Sequence, residues 1–514
     1  MTFAPSIQQQ GFFDWVETGE GNALVEAVAG AGKTTTIVKG LDLMSGYVFL
    51  GAYNSKMAKE LKERVAGRKG VFASTFHSAG YKQLRFTYGA RHALRVDASK
   101  VAEIVNDIIQ SGREDLRELA GAVVSIVSMA KQRGFGALGT PLALIPDSAW
   151  QDMISHFGLD ENLPENARMD QVIAMSKVVL NKSNRNLEII DYDDMVYLPL
   201  QRDLRMLQND WVLIDEAQDT NPTRRALAKK MLKPGGRLVA VGDPHQAIFG
   251  FTGADNDSLN IIEQEFQCAR MPLTVTYRCP KAVVQHARNW VSHITAHDSA
   301  PEGELLRMDY DADFFATVQA GDAVLCRQNK YLVRAFFQFV RDGKAAKIEG
   351  RAVGQGLSSL AGKWKVKTLD ALTDRLEKYR SKEIEKAIKN KQEQRADQID
   401  DQVETLFVLI DRAKATGVDT VDGLRAMIDG IFADDVTNAG NLIVLCSAHR
   451  SKGLEWNRVF LLGRNELMPS PFARQEWQME QEKNLIYVAV TRAKQTLIEV
   501  DGVMTEADQK KVRF

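Results

Sequence analysis

The sequence is poor in cysteine, has no long apolar run and carries almost no net charge. Its 514 residues include four cysteines, none of them in a CxxC pair, which argues against a disulfide scaffold or a cysteine zinc site. No segment reaches the roughly 20 apolar residues of a membrane-spanning helix. The first residues, MTFAPSIQQQ, lack the basic start and apolar run of a secretory signal. We therefore expect a cytoplasmic protein that has no membrane segment and is not secreted.

Acidic and basic residues nearly cancel, since 66 Lys and Arg against 67 Asp and Glu leave a net charge of −1. This balance neither supports nor excludes nucleic acid as a partner, because a basic groove can lie within a neutral total. A hydrophobic content of 45 % and a charged content of 26 % exclude a disordered or collagen-like chain. The length corresponds to roughly two to four domains.

Strand-like and helical segments alternate along the chain. Residues 22–28 (NALVEAV) form an apolar run that leads through the glycine-rich turn 29–34 (AGAGKT) into a helical segment. This alternation predicts parallel, doubly wound α/β sheets, with one set of strands before and one after about residue 272. The other segments read as strands are 47–53, 211–215, 237–241, 323–326, 441–446 and 458–462.

Two helical stretches separate these strands, and each resembles an insertion into an α/β domain. Residues 98–185 and 362–436 both carry apolar side chains at helical spacing. Within the second stretch, KEIEKAIKNKQEQRADQIDDQVE is rich in both charges and predicts a solvated helix or a helical hairpin. Its apolar positions do not keep the heptad repeat of a coiled coil.

A phosphate-binding loop is the strongest local signal in the chain. Residues 27–34 read AVAGAGKT, which matches GxxxxGK[ST] except that Ala27 replaces the first glycine. Gly30 and Gly32 allow backbone N–H groups to face a phosphate at the start of the following helix. Lys33 supplies a positive charge for the β- and γ-phosphates, and the Thr34 hydroxyl is a ligand for Mg²⁺.

An acidic pair follows a second apolar strand. In WVLIDEAQD at 211–219, Asp215 and Glu216 come directly after the strand. A carboxylate in this place holds Mg²⁺ through the water shell of the ion, and Glu216 is placed to orient or deprotonate an attacking water. Together with the phosphate loop, the pair predicts hydrolysis of a nucleoside triphosphate.

These motifs resemble those of the UvrD/Rep/PcrA-like branch of superfamily 1 DNA helicases. AVAGAGKT, IDEAQD and VGDPHQAIFGFTGAD resemble motifs I, II and III of that family, and STFHSAG at 74–80 resembles motif Ib. Gln9 stands at the place of the Q motif. Motifs IV, V and VI are matched by TYRCP at 276–280, AHRSKGLEW at 448–456 and EKNLIYVAVTRAK at 482–494. The matches follow the order of the family along almost the whole chain.

The resemblance implies two RecA-like (P-loop NTPase) parallel-sheet domains, each with a helical insertion, and ATP bound between them. The first domain would comprise 1–85 and 186–272, with 86–185 inserted. The second would comprise 273–361 and 437–514, with the short insertion 362–436.

The resemblance also implies roles for residues around ATP. Gln9 would read the adenine edge, Tyr277 would pack on the adenine ring, and Gln246 would sense the γ-phosphate. Glu455 would contact the ribose, and Thr35 stands where many relatives carry an arginine that stacks on adenine. The implied cofactor-binding residues are Gln9, Ala29, Gly30, Ala31, Gly32, Lys33, Thr34, Thr35, Tyr277, Gly453 and Glu455.

Two arginines complete the implied catalytic set of Lys33, Asp215, Glu216 and Gln246. Arg278 and Arg492 would act as arginine fingers supplied by the second domain. A guanidinium suits this role because it is always charged and pairs bidentately with phosphate oxygens.

For single-stranded nucleic acid, the expected contacts are aromatic side chains that stack bases and polar groups that hold phosphates. Phe249 and Phe251 directly follow the γ-phosphate sensor, and Phe251 stands where tryptophan is common in the family. The further candidates are Asn54, Lys56, Phe76, His77 and His449.

The sequence and the resemblance therefore predict an ATP- and Mg²⁺-dependent DNA helicase of bacterial or phage type. It would translocate on single-stranded DNA, bind junctions between duplex and single-stranded DNA, and couple ATP hydrolysis to duplex unwinding. By the form of motif III, movement is expected in the 3′→5′ direction, and family analogy suggests that it acts as a monomer. An RNA helicase and an ATPase that displaces proteins without unwinding remain alternatives. A small-molecule kinase does not explain the second set of motifs. Repair, recombination and replication are equally compatible roles.

Overall fold

The computed structural model divides the chain into two units, each built on one six-stranded sheet. The first unit comprises Met1–Ala27 and Gly32–Leu273, and the second comprises Val28–Ala31 and Thr274–Phe514. The structure describes residues 4–89, 94–160, 163–164, 167–248, 257–389, 393–432, 442–470, 473 and 476–504.

The sheet of the first unit has the strand order β3-β2-β6-β7-β1-β8, and all of its paired strands are parallel. Because a parallel sheet is covered by helices on both faces, its strands are almost continuously apolar, as VLI at 212–214 is. The strands are β1 (Asn22–Ala27), β2 (Val48–Ala52), β3 (Val71–Thr75), β6 (Asn209–Ile214), β7 (Leu232–Gly242) and β8 (Cys268–Leu273), while β4 (Arg95–Val96) pairs with β5 (Ile189–Ile190).

Helices of the first unit cover this sheet and also form the first insertion. The insertion helices share a separate core that contains the fully buried Trp150, Val123 and Val179. The helices are α1 (Ile7–Thr18), α2 (Lys33–Gly40), α3 (Ser55–Arg64), α4 (Phe76–Tyr88), α5 (Lys100–Gln110), α6 (Ala120–Gln132), α7 (Asp147–His156), α8 (Met169–Arg185), α9 (Asp194–Gln201), α10 (Pro222–Lys230) and α11 (Ser258–Phe266).

The sheet of the second unit has the order β11-β16-β15-β12-β14-β13 and is also parallel throughout. The predicted α/β fold with two parallel sheets is therefore confirmed. The strands are β9 (Val275–Thr276) and β10 (Thr295–Ala296), which pair with each other, and β11 (Glu304–Asp309), β12 (Ala323–Cys326), β13 (Ala346–Glu349), β14 (Ile443–Ser447), β15 (Trp456–Leu462) and β16 (Ala493–Asp501).

The second insertion contains two long helices that pack against each other, as expected for a helical hairpin. Arg380 on α16 pairs with Asp400 and Glu404 on α17. The carboxylate of Asp401 accepts hydrogen bonds from the backbone N–H groups of Asn329 and Lys330 at the start of α14. The helices of this unit are α12 (Lys281–Ala287), α13 (Ala312–Thr317), α14 (Asn329–Arg341), α15 (Arg351–Gly362), α16 (Leu369–Lys389), α17 (Glu393–Ala415), α18 (Val421–Ile431), α19 (Arg464–Leu467) and α20 (Glu476–Val490).

Two absences bear on the sequence predictions. Within the described ranges, no helix combines the length and the apolar character needed to cross a membrane. All four cysteines are free thiols.

The predicted domain limits stay predictions, and α4 runs through position 86, where the first insertion was expected to begin.

Helix α4 lies unusually close to α9, and a glycine makes this approach possible. A Cβ atom built on Gly80 would lie 1.9 Å from the carbonyl oxygen of Met195. Such a contact is far inside van der Waals distance, and the obstacle is backbone rather than a movable side chain. The packing of α4, which begins in motif Ib, therefore depends on this residue.

We predict that Gly80→Ala lowers the free energy of unfolding, because the backbones of α4 and α9 must separate to admit the methyl group. The expected loss is about 1–3 kcal/mol, measured by urea denaturation. Gly11→Ala is the matched control, since Gly11 lies within α1 and a Cβ there meets nothing within 4 Å. It should raise the stability by about 0.5–1 kcal/mol. Equal effects of the two substitutions would contradict the close approach.

Candidate functional site

The phosphate loop connects β1 with α2. Gly30 and Gly32 have φ angles of 72° and 78°, in the left-handed region that glycine adopts without strain. Gly32 is the N-cap of α2, and Lys33 is the first residue of that helix. A helix N-terminus that follows such a turn presents free N–H groups to an anion. The backbone therefore has the form predicted for a phosphate-binding loop.

Lys33 lies among three carboxylates. Its Nζ is 3.3 Å from Oε1 of Glu216. Burial would lower the pKa of Lys33, but attraction to Glu216, Asp243 and Asp215 outweighs burial and raises the pKa. Three acidic groups against one lysine favour the binding of a further cation, because a cation stabilises the charged forms of the carboxylates.

The acidic pair is held in a strained turn after β6. Glu216 has a φ of 52°, which is uncommon for a residue with a side chain and is often found at functional sites. Its backbone N–H donates to Oδ1 of Asp215 at 3.0 Å. Burial, together with repulsion by Glu216, raises the pKa of Asp215 to about 7. A cation bound beside Asp215 would relieve both effects.

A hydrogen-bonded chain connects Glu216 with the predicted γ-phosphate sensor. The amide nitrogen of Gln218 donates to Glu216, and Oε1 of Gln218 accepts from the backbone N–H of Asp243 at 3.0 Å. The carboxylate of Asp243 in turn accepts from Nε2 of Gln246 at 2.7 Å. Sequence reasoning missed Gln218 and Asp243, although both lie within motifs that it identified.

The donor set at this site fits Mg²⁺ bound together with nucleotide phosphates. Among the residues that the structure describes, no group of three or more His, Cys, Asp or Glu side chains forms a metal cage. Mg²⁺ commonly takes only one or two carboxylates and fills its shell with water and phosphate oxygens. Asp215 and the Thr34 hydroxyl are the side chains that would hold the ion.

Gln9 is buried at the start of α1, where it completes a capping box with Ser6. Its Oε1 accepts from the backbone N–H of Ser6, and its Nε2 donates to the hydroxyl of Thr36, both at 3.0 Å. The amide is thereby held beside the first turn of α2. Its role in reading adenine, like that of Thr35, stays a prediction.

In the second unit, several predicted nucleotide contacts occur together. Tyr277 is 43 % exposed, and its ring lies 4.8 Å from that of His297. Nε of Arg278 pairs with Glu455 at 2.6 Å, and Lys494 lies 3.6 Å from the same carboxylate. Burial would raise the pKa of Glu455, but the two cations lower it. Arg278 and Glu455 are therefore partners of each other here.

Arg492 is only 1 % exposed. Its guanidinium donates to the carbonyl oxygens of Val488 and Leu454 at 2.7 and 3.1 Å. Leu454 follows Gly453, which has a φ of 83°. In this arrangement Arg492 holds the motif V segment, so an arginine-finger role requires that it exchange these partners.

A cavity of about 190 Å³ in the first unit brings together one predicted contact for single-stranded DNA, His77, and two residues that the sequence analysis missed. It is lined in part by Tyr53, His77 and Arg224. The Arg224 guanidinium lies 5.0 Å from the centre of the Tyr53 ring. Burial, with the nearby charge of Arg224, lowers the pKa of His77 to about 4, so His77 is neutral at pH 7. Aromatic, cationic and neutral polar groups together suit a nucleic-acid base.

The sequence analysis did not identify Tyr53 as a site residue, because Tyr53 ends a segment that was predicted to be a buried strand. In the structure β2 ends at Ala52, and Tyr53 follows at the carboxyl edge of the sheet. A smaller cavity next to it is lined by both Tyr53 and Asp215. The candidate strand site and the candidate nucleotide site therefore share one edge of the first sheet.

The prediction for Phe76 as a stacking residue is wrong in this structure. Phe76 is 3 % exposed, and its ring lies 5.5 Å from that of Phe49 in the core. A Cβ at Gly51 would lie 2.6 Å from the Phe76 ring, so the ring fills a space left by that glycine. A ring so enclosed has no face for a base.

The remaining predicted strand contacts have different surroundings. The Asn54 side chain accepts from the backbone N–H of Met57 and caps α3, while Lys56 is exposed. His449 follows β14, and burial, together with the charge of Arg327, lowers its pKa to about 3. It is therefore neutral at pH 7. Phe249 and Phe251 lie outside the described residues.

The chain matches two families of known domains. Residues 10–267 match the UvrD/REP helicase N-terminal domain, and residues 357–499 match the UvrD-like helicase C-terminal domain. The first match covers half of the chain and includes the phosphate loop, the acidic pair and the Tyr53 cavity.

Individual relatives are identical to the chain at about a quarter of the aligned positions. The ATP-dependent DNA helicase Rep of Escherichia coli is 27 % identical over 53 % of this chain and 41 % of its own length. The ATP-dependent DNA helicase PcrA of Staphylococcus epidermidis is 25 % identical over 64 % and 45 %. A probable DNA helicase II homolog of Rickettsia conorii is 23 % identical over 96 % and 92 %. The chain thus spans less than half the length of the Rep and PcrA relatives.

We predict that Lys33→Ala abolishes ATP hydrolysis, because it removes the positive charge from a site with three carboxylates. Phosphate release is the measurement. Single-stranded DNA binding in the absence of nucleotide should change little. Lys39→Ala, at an exposed position of the same helix, is the matched control and should retain activity. Hydrolysis by the Lys33→Ala protein at the wild-type rate would contradict the assignment.

A second prediction concerns Asp193, which also lines the 190 Å³ cavity. Burial raises its pKa to about 6. Because the folded-state pKa lies above the ordinary value, folding favours the protonated form, and the charged form destabilises the protein as the pH rises through 6. Asp193→Asn should therefore raise the free energy of unfolding by about 1–3 kcal/mol at pH 7.5.

The measurement is urea denaturation of both proteins between pH 4 and 7.5. The advantage of Asp193→Asn should shrink as the pH falls and the wild-type carboxyl takes up its proton. A stability difference that does not vary with pH would show that the charge of Asp193 is not the cause.

Proposed function

Because the chain belongs to the UvrD/REP helicase family, we propose that it is an ATP-dependent motor that moves along single-stranded DNA and unwinds duplexes. The observation that carries the proposal is the hydrogen-bonded chain from Lys33 through Glu216, Gln218 and Asp243 to Gln246. It joins a candidate phosphate-binding lysine, a candidate base and a candidate γ-phosphate sensor in one network of polar contacts. The Tyr53 cavity on the same sheet edge supplies a site for the strand.

The site residues of the first unit have different roles in hydrolysis. Lys33 exchanges Glu216 for the β- and γ-phosphates of ATP, which frees the Glu216 carboxylate to orient the attacking water. Thr34 and Asp215 hold Mg²⁺, which neutralises charge on the phosphates when it is bound. Because these residues are hydrogen-bonded in sequence, a shift of Glu216 changes the positions of Gln218 and Asp243, and through them that of Gln246. Binding and loss of the γ-phosphate therefore favour different arrangements of this network.

The residues of the second unit take part by exchanging partners. Arg278 leaves Glu455 for the developing negative charge on the phosphates, and the freed carboxylate accepts hydrogen bonds from the ribose hydroxyls. Tyr277, backed by His297, packs on the adenine ring. Arg492 joins as the second arginine finger. These exchanges of partners couple nucleotide binding to movement. A ligand shifts a conformational equilibrium only through its different affinity for the two conformations, and the exchanges provide that difference.

The strand site acts through stacking and phosphate contacts. Tyr53 offers an aromatic ring to a base, Arg224 offers charge to the phosphates, and His77 serves as a neutral hydrogen-bonding group. Since Tyr53 and Asp215 line one cavity, a change at the nucleotide can alter the hold on the strand. Movement in the 3′→5′ direction, by the form of motif III, belongs to the proposal.

The testing experiment is displacement of a labelled strand from duplexes with a 3′ or a 5′ single-stranded tail. The proposal expects ATP-dependent displacement from the 3′-tailed duplex only. Displacement from the 5′-tailed duplex only would reverse the direction. ATP hydrolysis stimulated by DNA without any displacement would favour an ATPase that displaces proteins, and stimulation by RNA alone would favour an RNA helicase.

We predict that Tyr53→Ala weakens binding to single-stranded DNA by about 1–3 kcal/mol, the range for loss of one stacked base. Fluorescence anisotropy with labelled oligothymidine is the measurement. Tyr47→Ala is the matched control, because Tyr47 precedes the same strand at its opposite end and is 54 % exposed. Unchanged affinity in the Tyr53 variant would rule out the cavity as a base site.

A further inference from the structure

Helix α4 carries an exposed face that the proposed strand site does not use. One open groove on this face is lined by Ser78, Tyr81, Lys82, Arg85 and Phe86. Phe86 is 85 % exposed, which is unusual for so large an apolar side chain. The groove therefore combines an uncovered aromatic ring with two cationic side chains.

The two cations of this groove are available to a ligand. Lys82 and Arg85 are exposed, and within the part of the chain that the structure describes neither of them forms an ion pair. The neighbouring helix α3 and the turn after it differ in this respect, because Arg64 pairs with Glu60 and Arg68 with Asp42. Unpaired cations beside an exposed aromatic ring are the combination that binds single-stranded nucleic acid, since phosphates need charge and unstacked bases need a ring.

The groove lies on the same helix as His77, which belongs to the proposed strand site. Residues 78, 82, 85 and 86 have the spacing of one helix face, and they begin one residue after His77, which lines the Tyr53 cavity. From His77 to Phe86 the helix rises about 14 Å. A strand of stacked duplex DNA advances roughly 3.4 Å per nucleotide and an unstacked strand advances further, so this distance corresponds to at most about four nucleotides.

We propose that this face of α4 is a second contact for the DNA single strand, in which Lys82 and Arg85 hold phosphates and Phe86 stacks a base. The ligand is a single strand because the bases of a duplex are stacked on each other and leave no face for Phe86. The proposal rests on the proposed function, in that the chain must bind single-stranded DNA. It extends the bound segment beyond the Tyr53 cavity.

The experiment measures the affinity for oligothymidines of about four and about 12 nucleotides over a range of salt concentrations. The variants are Phe86→Ala and the double substitution Lys82→Gln/Arg85→Gln. Lys69→Gln is the matched control, because Lys69 is exposed and precedes β3 at the opposite edge of the sheet. Tyr53→Ala reports on the cavity itself. Urea denaturation checks that each variant is folded.

For the longer oligomer, we expect Phe86→Ala to weaken binding by roughly 5- to 150-fold. The double substitution should reduce the slope of log K against log salt by about 1.4, since each phosphate contact on a single strand contributes about 0.7. Both effects should be small for the shorter oligomer, and Lys69→Gln should change neither quantity.

The outcomes separate this proposal from the function on which it rests. If the wild type binds the longer oligomer and Tyr53→Ala weakens binding, while affinity and salt slope are unchanged in both groove variants, the second contact is overturned and the proposed function stands. If the wild type binds neither oligomer, the proposed function itself fails. Equal losses for the short and the long oligomer would also overturn the proposal, because the groove would then not extend the bound segment.

Discussion

The placement of one lysine among three carboxylates, two of them buried, is the constraint on which the rest of the site in the first unit depends. Lys33, Asp215, Glu216 and Asp243 meet because β1, β7 and β6 are neighbours in the sheet, and each is followed by one part of the site. Without a ligand, Lys33 balances only part of the negative charge. Mg²⁺ would bring two positive charges to the carboxylates, and the phosphates of a bound nucleotide would be the partners of the lysine. The charge arrangement thus favours the ligand that the family predicts.

The candidate nucleotide site and the candidate DNA site lie at the same edge of the first sheet. Asp215 follows β6, Tyr53 follows the adjacent β2, and His77 lies just after β3, the next strand along. The polar contacts of the candidate nucleotide site and the stacking surface of the candidate DNA site therefore follow neighbouring β-strands of one sheet. A change in the partner of Glu216 has only a short path to the strand site. In the proposed mechanism, this short path would let a small rearrangement at a phosphate alter the binding of DNA.

Sequence reasoning found the parts of the site that depend on the backbone. The phosphate loop and the acidic pair are local patterns of residue type, and their glycines and strand-end carboxylates have a meaning without the rest of the fold. It missed Gln218 and Asp243, because their importance lies in whom they pair with across β6 and β7. It was wrong about Phe76, since the pocket for that ring is formed by Gly51 and Phe49 on a neighbouring strand. It passed over Tyr53, because a single aromatic residue at the end of an apolar run looks like part of the strand.

The most direct test of the account is ATP hydrolysis with and without single-stranded DNA, in the wild type and in the Glu216→Gln protein. The account predicts strong stimulation by DNA in the wild type and its loss in the variant, in which ATP binding is retained because Lys33 and the phosphate loop are intact. Matched RNA of equal length shows whether the response is specific for DNA. The central claim is that ATP hydrolysis at Glu216 is coupled to DNA binding at the strand site. Hydrolysis that does not respond to DNA, or that persists in Glu216→Gln, would contradict it.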